Sequence, residues 1–171
     1  SSAHRVRAIT PVSRVTAVAL EPRNAVARPL DGDRMELLCS HQNPVALRPA
    51  LAGAFGMEPD QIRVLTGDVG GAFGMKSGPT REELVIFWAA RHLGRAVRWQ
   101  ADRAESFLCD EAARDVRFVS ELGLDEDGTF TAMRFLLEIN CGAYASVRSI
   151  IPIANFGGVA GVYRTPILAG R

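Results

Sequence analysis

The sequence predicts an α+β fold, in which hairpins and strands of a mixed sheet pack with several helices. Runs of alternating β-branched residues indicate strands, capping residues and terminal glycines delimit helices, and turns rich in Asp and Gly join neighbouring strands. Because strands and helices are interspersed along the chain with hairpins between them, an α+β class is favoured. We expect a single partial domain over residues 1–171.

The first predicted element is a hairpin. Residues 14–20 alternate β-branched with small side chains, which is typical of a strand, and the run Glu21-Pro22-Arg23-Asn24 interrupts it. Extended structure resumes over residues 25–28. The turn at residues 30–34, centred on Asp-Gly-Asp, then leads into a return strand over residues 35–40.

A helix follows the hairpin. Asn43 is a suitable N-cap, Pro44 suits the first helical position, and Gly56 is a natural stop. The next strand is predicted at residues 62–65. The inward stripe of the helix is predicted to be apolar and to consist of Val45, Leu47, Leu51, Ala54 and Phe55.

A second helix is predicted from Thr80 to Leu93. Thr80 and Glu83 have the spacing of a capping box, and Gly94 ends the helix. Its apolar residues Leu84, Val85, Phe87, Trp88 and Leu93 predict a helix that is mostly buried. The remaining predicted elements are a strand at 97–99, a helical turn at 102–107, a hairpin of 116–124 with 130–140, a loop at 142–146, and a tail at 152–171 without a clear element.

The segment Gly67 to Lys76 holds four glycines between a predicted strand and a predicted helix. Glycine is costly in ordered structure, so its concentration predicts positive φ angles or a backbone that approaches a ligand closely. Neither familiar phosphate loop fits, because Met75 precedes Lys76 and because Val69 stands where the dinucleotide fingerprint needs its first glycine. The loop is therefore either a ligand cradle with Phe73 at its centre or only a tight connection.

Composition excludes several classes of function. The net charge of +1 gives no basic face for nucleic acid, and no apolar run approaches the length of a membrane span. The three cysteines form no CxxC pair, which disfavours zinc and iron–sulfur sites in this chain. Free thiols favour a reduced, cytoplasmic protein, and Cys109 is expected to be a small packed side chain rather than a reactive thiol.

The chain resembles the molybdenum hydroxylases, and most closely the molybdopterin-binding large subunit of the xanthine dehydrogenase, aldehyde oxidase and aerobic carbon monoxide dehydrogenase group. The resemblance runs from about Arg14 to Pro166, and several motifs in the family's order make it specific. The motifs are Glu21-Pro22-Arg23, Ser40-His41-Gln42-Asn43-Pro44, Gly70-Gly71-Ala72-Phe73-Gly74-Met75-Lys76, Trp88 to Trp99, Asp102-Arg103, Arg114-Asp115 and Gly142-Ala143-Tyr144.

The resemblance implies the site residues. Gln42 matches the family's Gln that approaches the oxo or sulfido ligand of molybdenum, so it is expected near the metal's ligands without being a ligand itself. A Gln amide also supplies the neutral donor that a metal-oxo group requires. The expected cofactor-binding residues are Gln42, Gly70, Gly71, Phe73 and Gly74. No catalytic residue is expected in this chain, since nothing matches the family's general-base Glu.

Three positions depart from the family's pattern. Ala72 replaces a glycine, which is tolerable only where φ is negative. Met75 replaces a small or polar residue and either narrows the pocket or packs. Ser77 stands where purine-oxidising members carry Glu, which disfavours xanthine-type specificity. For Lys76 a role that only covers the loop in solvent stays open, and for Glu21 and Arg23 a structural ion pair or backbone brace is favoured over catalysis.

The resemblance implies a fragment of a molybdenum-dependent hydroxylase or dehydrogenase large subunit, which contributes part of the site for molybdopterin or its cytosine dinucleotide. The expected partners are the iron–sulfur and flavin subunits or domains and the remainder of the large subunit, with no nucleic acid and no membrane. Two alternatives remain, a non-catalytic pterin- or nucleotide-binding module and a structural piece that docks onto a missing partner.

Overall fold

Two four-stranded sheets form the framework of the residues that the structure describes, and each sheet belongs to one of two compact units. The computed structural model describes residues 2–144 and 158–171. One unit combines Ser1–Val15 with Ala112–Arg171, and the other is Thr16–Glu111. One partial domain over residues 1–171 stays a prediction.

The sheet of the second unit is built around the predicted hairpin. Strands β2 (Asn24–Leu30) and β3 (Arg34–Cys39) pair antiparallel, as the Asp-Gly-Asp turn predicts. Strand β4 (Ile62–Leu65) pairs parallel to β3, and strand β5 (Val97–Gln100) pairs antiparallel to β2. The strand order β4-β3-β2-β5 confirms a mixed sheet.

Helices α1 (Pro44–Phe55), α2 (Arg81–Leu93) and α3 (Arg103–Cys109) belong to the same unit, and the first two begin at their predicted caps. In α1 the Asn43 side chain accepts the Ala46 N–H, and α2 begins with the Thr80–Glu83 capping box. Helix α3 has a capping box between Asp102 and Glu105. Gly56 and Gly94 end the two longer helices in the left-handed conformation.

The core of this unit lies between the sheet and the helices. Fully buried side chains include Leu37 of β3, Leu47 and Leu51 of α1 and Phe87 of α2. Phe55 packs on Phe87 with ring centroids 4.9 Å apart. Pairing fixes β4 in the sheet and packing fixes α2 against it, and the glycine loop lies in the connection between them.

The first unit contains a second mixed sheet. Strand β6 (Ala112–Leu124) and strand β7 (Phe130–Ile139) form the predicted antiparallel hairpin. Strand β1 (His4–Thr16) borders β6, and β8 (Ile167–Gly170) pairs parallel to β7. The α+β prediction is therefore confirmed.

Several sequence predictions about this framework are wrong. The first strand begins at His4 and ends at Thr16, and the tail contains β8, whose four residues give no periodicity to detect. Cys109 is exposed, so it is not a packed side chain. Residues 145–157, which include the end of the loop predicted at 142–146 and the start of the tail predicted at 152–171, lie outside the described part of the chain.

The stripes predicted on α1 and α2 are also wrong in part. Val45, Val85, Trp88 and Leu93 are all more than half exposed. A helix turns by 100° per residue, so one face packs on the sheet while the opposite face points away from it. Apolar character alone did not reveal which face packs. No helix among the described residues is long and apolar enough to cross a membrane.

Candidate functional site

The glycine loop is attached to the segment before β2 through Gly70 and Glu21. The Gly70 N–H donates to Glu21 Oε2 at 2.8 Å, and the Glu21 N–H donates to the Gly70 carbonyl at 3.1 Å. A Cβ at position 70 would lie 2.6 Å from Glu21 Cβ, which is closer than real atoms approach. Glycine is therefore required at position 70 by close packing.

The next residues of the loop adopt the positive φ angles that the glycine count predicts. The φ angles are +102° at Gly71, +51° at Phe73 and +87° at Gly74. Phe73 has 79% of its surface exposed, and a bulky residue with positive φ is strained. Ala72 is not among the positive-φ residues, so its expected negative φ is confirmed.

This alternation of φ leaves main-chain donors available. The N–H groups of Gly71, Ala72 and Phe73 have no acceptor among the residues that the structure describes. Successive N–H groups in a chain of alternating φ sign form a concavity that binds anions or other acceptors. The loop therefore offers neutral donors beside an exposed aromatic ring.

Gln42 is brought to this loop by its main chain. Its N–H donates to the carbonyl oxygen of Lys76 at 2.8 Å. Its side chain is exposed, and its amide has no hydrogen-bonding partner within the described part of the chain. The amide is thus available to a ligand beside the loop.

His41 lies directly before Gln42 and is buried, a feature that sequence reasoning missed. Its Nδ1 accepts the Asn43 N–H at 2.9 Å, so the ring proton resides on Nε2, which faces the Gly78 carbonyl at 3.3 Å. The ring therefore links the residues on both sides of Gln42 to the end of the loop. The only available signal was the position of His41 within the motif.

Lys76 is buried, with 1% of its side chain exposed, so it does not cover the loop in solvent. Its Nζ donates at 2.9 Å to three acceptors, namely the Glu21 carbonyl, Glu21 Oε2 and Ser40 Oγ. An ammonium has three donors, and all three are therefore used. Met75, which precedes it, is also buried and packs.

The Glu21 carboxylate is the acceptor that these groups share. Ser40 Oγ donates to Oε2 at 2.6 Å, and Asn24 Nδ2 donates to Oε1 at 3.0 Å. Burial raises the pKa of Glu21, but the bonds from Ser40, Lys76, Asn24 and Gly70 outweigh it and hold this pKa at about 2. Glu21 is consequently a charged structural brace.

Arg23 braces a different part of the unit. Its guanidinium binds Glu82 at the start of α2 and donates from Nε to Asp110 at 2.7 Å. It also lies 5.4 Å from the centre of the Trp99 ring. Glu21 and Arg23 each form ion pairs, as expected, although each pairs with other residues and not with the other.

The described residues contain no group of three or more His, Cys, Asp or Glu side chains placed to hold a metal ion. What the site offers is therefore a set of hydrogen-bond donors. They are the Gln42 amide and the main-chain N–H groups of the loop.

A family model described as "Molybdopterin cofactor-binding domain" matches residues 1–171. The gamma subunit of the 6-hydroxypseudooxynicotine dehydrogenase complex of Paenarthrobacter nicotinovorans is 31% identical over 95% of this chain and 21% of its own length. The carbon monoxide dehydrogenase large chain of Hydrogenophaga pseudoflava is 31% identical over 77% of this chain and 16% of its own length.

The crystal structure of quinoline 2-oxidoreductase from Pseudomonas putida 86 superimposes with a TM-score of 0.91 at 33% identity. The superposition covers 99% of this chain and 22% of that chain. The chain thus spans about a fifth of the length of these relatives. Two of the names describe one subunit or chain of a larger enzyme.

Proposed function

The chain belongs to the molybdopterin cofactor-binding domain family, and from this premise we propose that it contributes one wall of a molybdenum–pterin cofactor site. The observation that supports the proposal is the bond from Gln42 N–H to the Lys76 carbonyl, which joins the main chain of Gln42 to the end of the loop. The proposed contacts with the cofactor come from Gln42, Gly70, Gly71, Phe73 and Gly74.

The chemistry of the donors fits this cofactor. A pterin phosphate and the oxo or sulfido ligands of a metal accept hydrogen bonds. The neutral donors without an acceptor among the described residues are the Gln42 amide and the main-chain N–H groups of Gly71, Ala72 and Phe73. The Gln42 amide donates to a ligand of the metal without binding the metal itself. The exposed Phe73 ring offers an apolar contact surface beside these donors.

We propose that the complete protein is the large subunit of a molybdenum-dependent oxidoreductase. When bound, the cofactor supplies a redox metal for hydroxylation with oxygen derived from water. The general base lies elsewhere in the large subunit, and iron–sulfur and flavin subunits or domains of a cytoplasmic enzyme receive the electrons. The names of the relatives, which include a dehydrogenase complex subunit and a carbon monoxide dehydrogenase, support this assignment.

The substrate is proposed not to be a xanthine-type purine. Ser77 stands where the family's purine-oxidising members carry Glu, and its hydroxyl donates to the Gly74 carbonyl at 2.7 Å. Because the single hydroxyl proton of Ser77 is already donated to the Gly74 carbonyl, it is not available to a substrate.

The test is Gln42→Ala in the complete large subunit within its complex. We expect the molybdenum content to stay near that of the unmodified protein and kcat to fall at least about tenfold, because one donor to the reacting centre is lost. Gln100→Ala removes another exposed Gln and is the matched control. Equal kcat in the two variants would argue against the assignment of Gln42. Cofactor binding without redox turnover by the unmodified protein would favour a non-catalytic pterin- or nucleotide-binding module.

A further inference from the structure

Lys76 holds together the chain segments that carry the proposed cofactor contacts. We propose that Lys76 is a positioning residue, which sets Gln42 and the glycine loop in one fixed register through a buried ammonium. This inference rests on the proposed function, and it concerns a residue that contacts no cofactor itself.

Hydrogen bonds connect the Lys76 ammonium to the glycine loop through Glu21. Lys76 Nζ donates to Glu21 Oε2 and to the Glu21 carbonyl, each at 2.9 Å. The same Oε2 accepts the Gly70 N–H, and the Glu21 N–H donates back to the Gly70 carbonyl. The ammonium therefore orients the carboxylate that fixes the start of the loop.

Lys76 also holds the segment that contains Gln42. Lys76 Nζ donates to Ser40 Oγ at 2.9 Å, two residues before Gln42, and the Lys76 carbonyl accepts the Gln42 N–H at 2.8 Å. One residue thus holds the segment from Ser40 to Gln42 at two points. It holds Gly70 through Glu21 at the same time.

The chemistry of a lysine side chain suits position 76. Burying a charge is costly unless it is paired and fully hydrogen-bonded, and Lys76 satisfies both conditions. A compact ammonium directs three donors from one nitrogen to three acceptors, whereas the guanidinium of Arg spreads its donors over a larger, rigid planar fork. A residue that merely covered the loop would need neither the burial nor the bonds. The burial and the three bonds of Lys76 therefore favour a single arrangement of Glu21, Ser40 and the loop.

The experiment compares Lys76→Met with Arg23→Met in the complete large subunit. Both substitutions break a buried ion pair of the same unit, but the Arg23 side chain bonds Glu82 and Asp110 and lies against Trp99, and in the described part of the chain it forms no hydrogen bond to Glu21, Gly70 or Gln42. Hydrogen exchange is measured on cofactor-free protein, at temperatures equally far below each melting point. Molybdenum and pterin are measured per folded subunit after expression with cofactor supply.

In Lys76→Met we expect the Gly70 and Gln42 amides to exchange about tenfold faster than in Arg23→Met, because a lost buried partner frees the local backbone. We also expect the pterin content of Lys76→Met to be lower than that of Arg23→Met. Exchange and pterin content equal to those of Arg23→Met would overturn the proposal, since Lys76 would then contribute only general stability.

Gly70→Ala tests the same link if Lys76→Met does not fold. The added Cβ lies 2.6 Å from Glu21 Cβ and separates the loop from Glu21 while every charge stays in place. We expect faster exchange at position 70 and a lower pterin content, and unchanged values of both overturn the proposal.

Gly71→Val distinguishes this inference from the proposed function. If Gly71→Val loses pterin while Lys76→Met and Gly70→Ala keep it, only the positioning role fails. If all three variants keep it, both proposals fail.

Discussion

Glu21 and Gly70 are joined by two hydrogen bonds, one from the Gly70 N–H to Glu21 Oε2 at 2.8 Å and one from the Glu21 N–H to the Gly70 carbonyl at 3.1 Å. The glycine loop is therefore held by both the charged side chain and the main chain of Glu21. The arrangement makes the loop dependent on the ionisation of one carboxyl group.

Protonation of Glu21 is expected to weaken the fold at low pH. Its pKa is lowered from 4.5 to about 2, so its stabilising contribution is present above pH 4.5 and is lost as the pH falls through about 2. Glu21→Gln should therefore reduce the free energy of unfolding at pH 7 by about 1–3 kcal/mol, allowing for solvent screening of a carboxylate that stays partly exposed.

Denaturant unfolding of both proteins between pH 2 and pH 7 measures this effect. The difference between them should shrink as the pH falls from about 4.5 toward 2. Glu126→Gln, which alters an exposed turn residue, is the control and should change little. A difference between Glu21→Gln and the unmodified protein that is independent of pH would contradict the role assigned to the carboxylate.

Gly71→Val is expected to reduce pterin content more than it reduces thermal stability. The φ of +102° strains any L side chain, at a cost of roughly 1–3 kcal/mol, and the new Cβ would lie 3.3 Å from Ala19 Cβ. Elemental analysis for molybdenum and a melting curve give the two quantities.

Gly32→Val is the matched control for Gly71→Val. Gly32 has a φ of +70° with nothing within 4 Å of an added Cβ, and it lies in the turn between β2 and β3. It carries a similar backbone strain away from the loop. Equal molybdenum content in the two variants would show that the glycine loop is only a connector.

Cys39 is expected to resist alkylation in the native protein. Burial, together with the nearby Glu83 carboxylate, raises the pKa of the Cys39 thiol to about 12, and only the thiolate reacts. Iodoacetamide at pH 8 followed by peptide mass spectrometry should label exposed Cys109 first and Cys39 only after denaturation. Labelling of Cys39 at the rate of Cys109 would show that β3 opens readily.

The exposed apolar face of α2 is expected to drive self-association of the isolated chain. Val85 and Trp88 are 60% and 55% exposed, and Trp88 stacks on His92 with ring centroids 5.2 Å apart. Contiguous exposed apolar surface marks interfaces or aggregation sites. Light scattering should show concentration-dependent association that Trp88→Lys reduces and Arg95→Ala, at an exposed position beyond the helix, does not. A chain that stays monomeric at high concentration would contradict this expectation.

Much of the local structure around the loop was predictable from neighbouring residues. Asn43 and the Thr80–Glu83 pair mark helix starts because their side chains satisfy N–H groups within a few positions. Positive φ in the glycine loop was predictable because glycine alone adopts it without strain. The motif containing Gln42 indicated a cofactor site by resemblance to a family, not by geometry.

Other features depended on residues far apart in the sequence. The sequence by itself determined where helices and turns begin and that glycines of the loop adopt positive φ, since such preferences act over one helical turn or less. The need for glycine at position 70 comes from its tertiary contact with Glu21. Only the tertiary structure decided that Lys76 is buried, that it bonds Glu21 and Ser40, and that Val85 and Trp88 face away from the sheet. A buried ammonium is stable only when acceptors from distant segments surround it, and those acceptors assemble only when the whole sheet has formed.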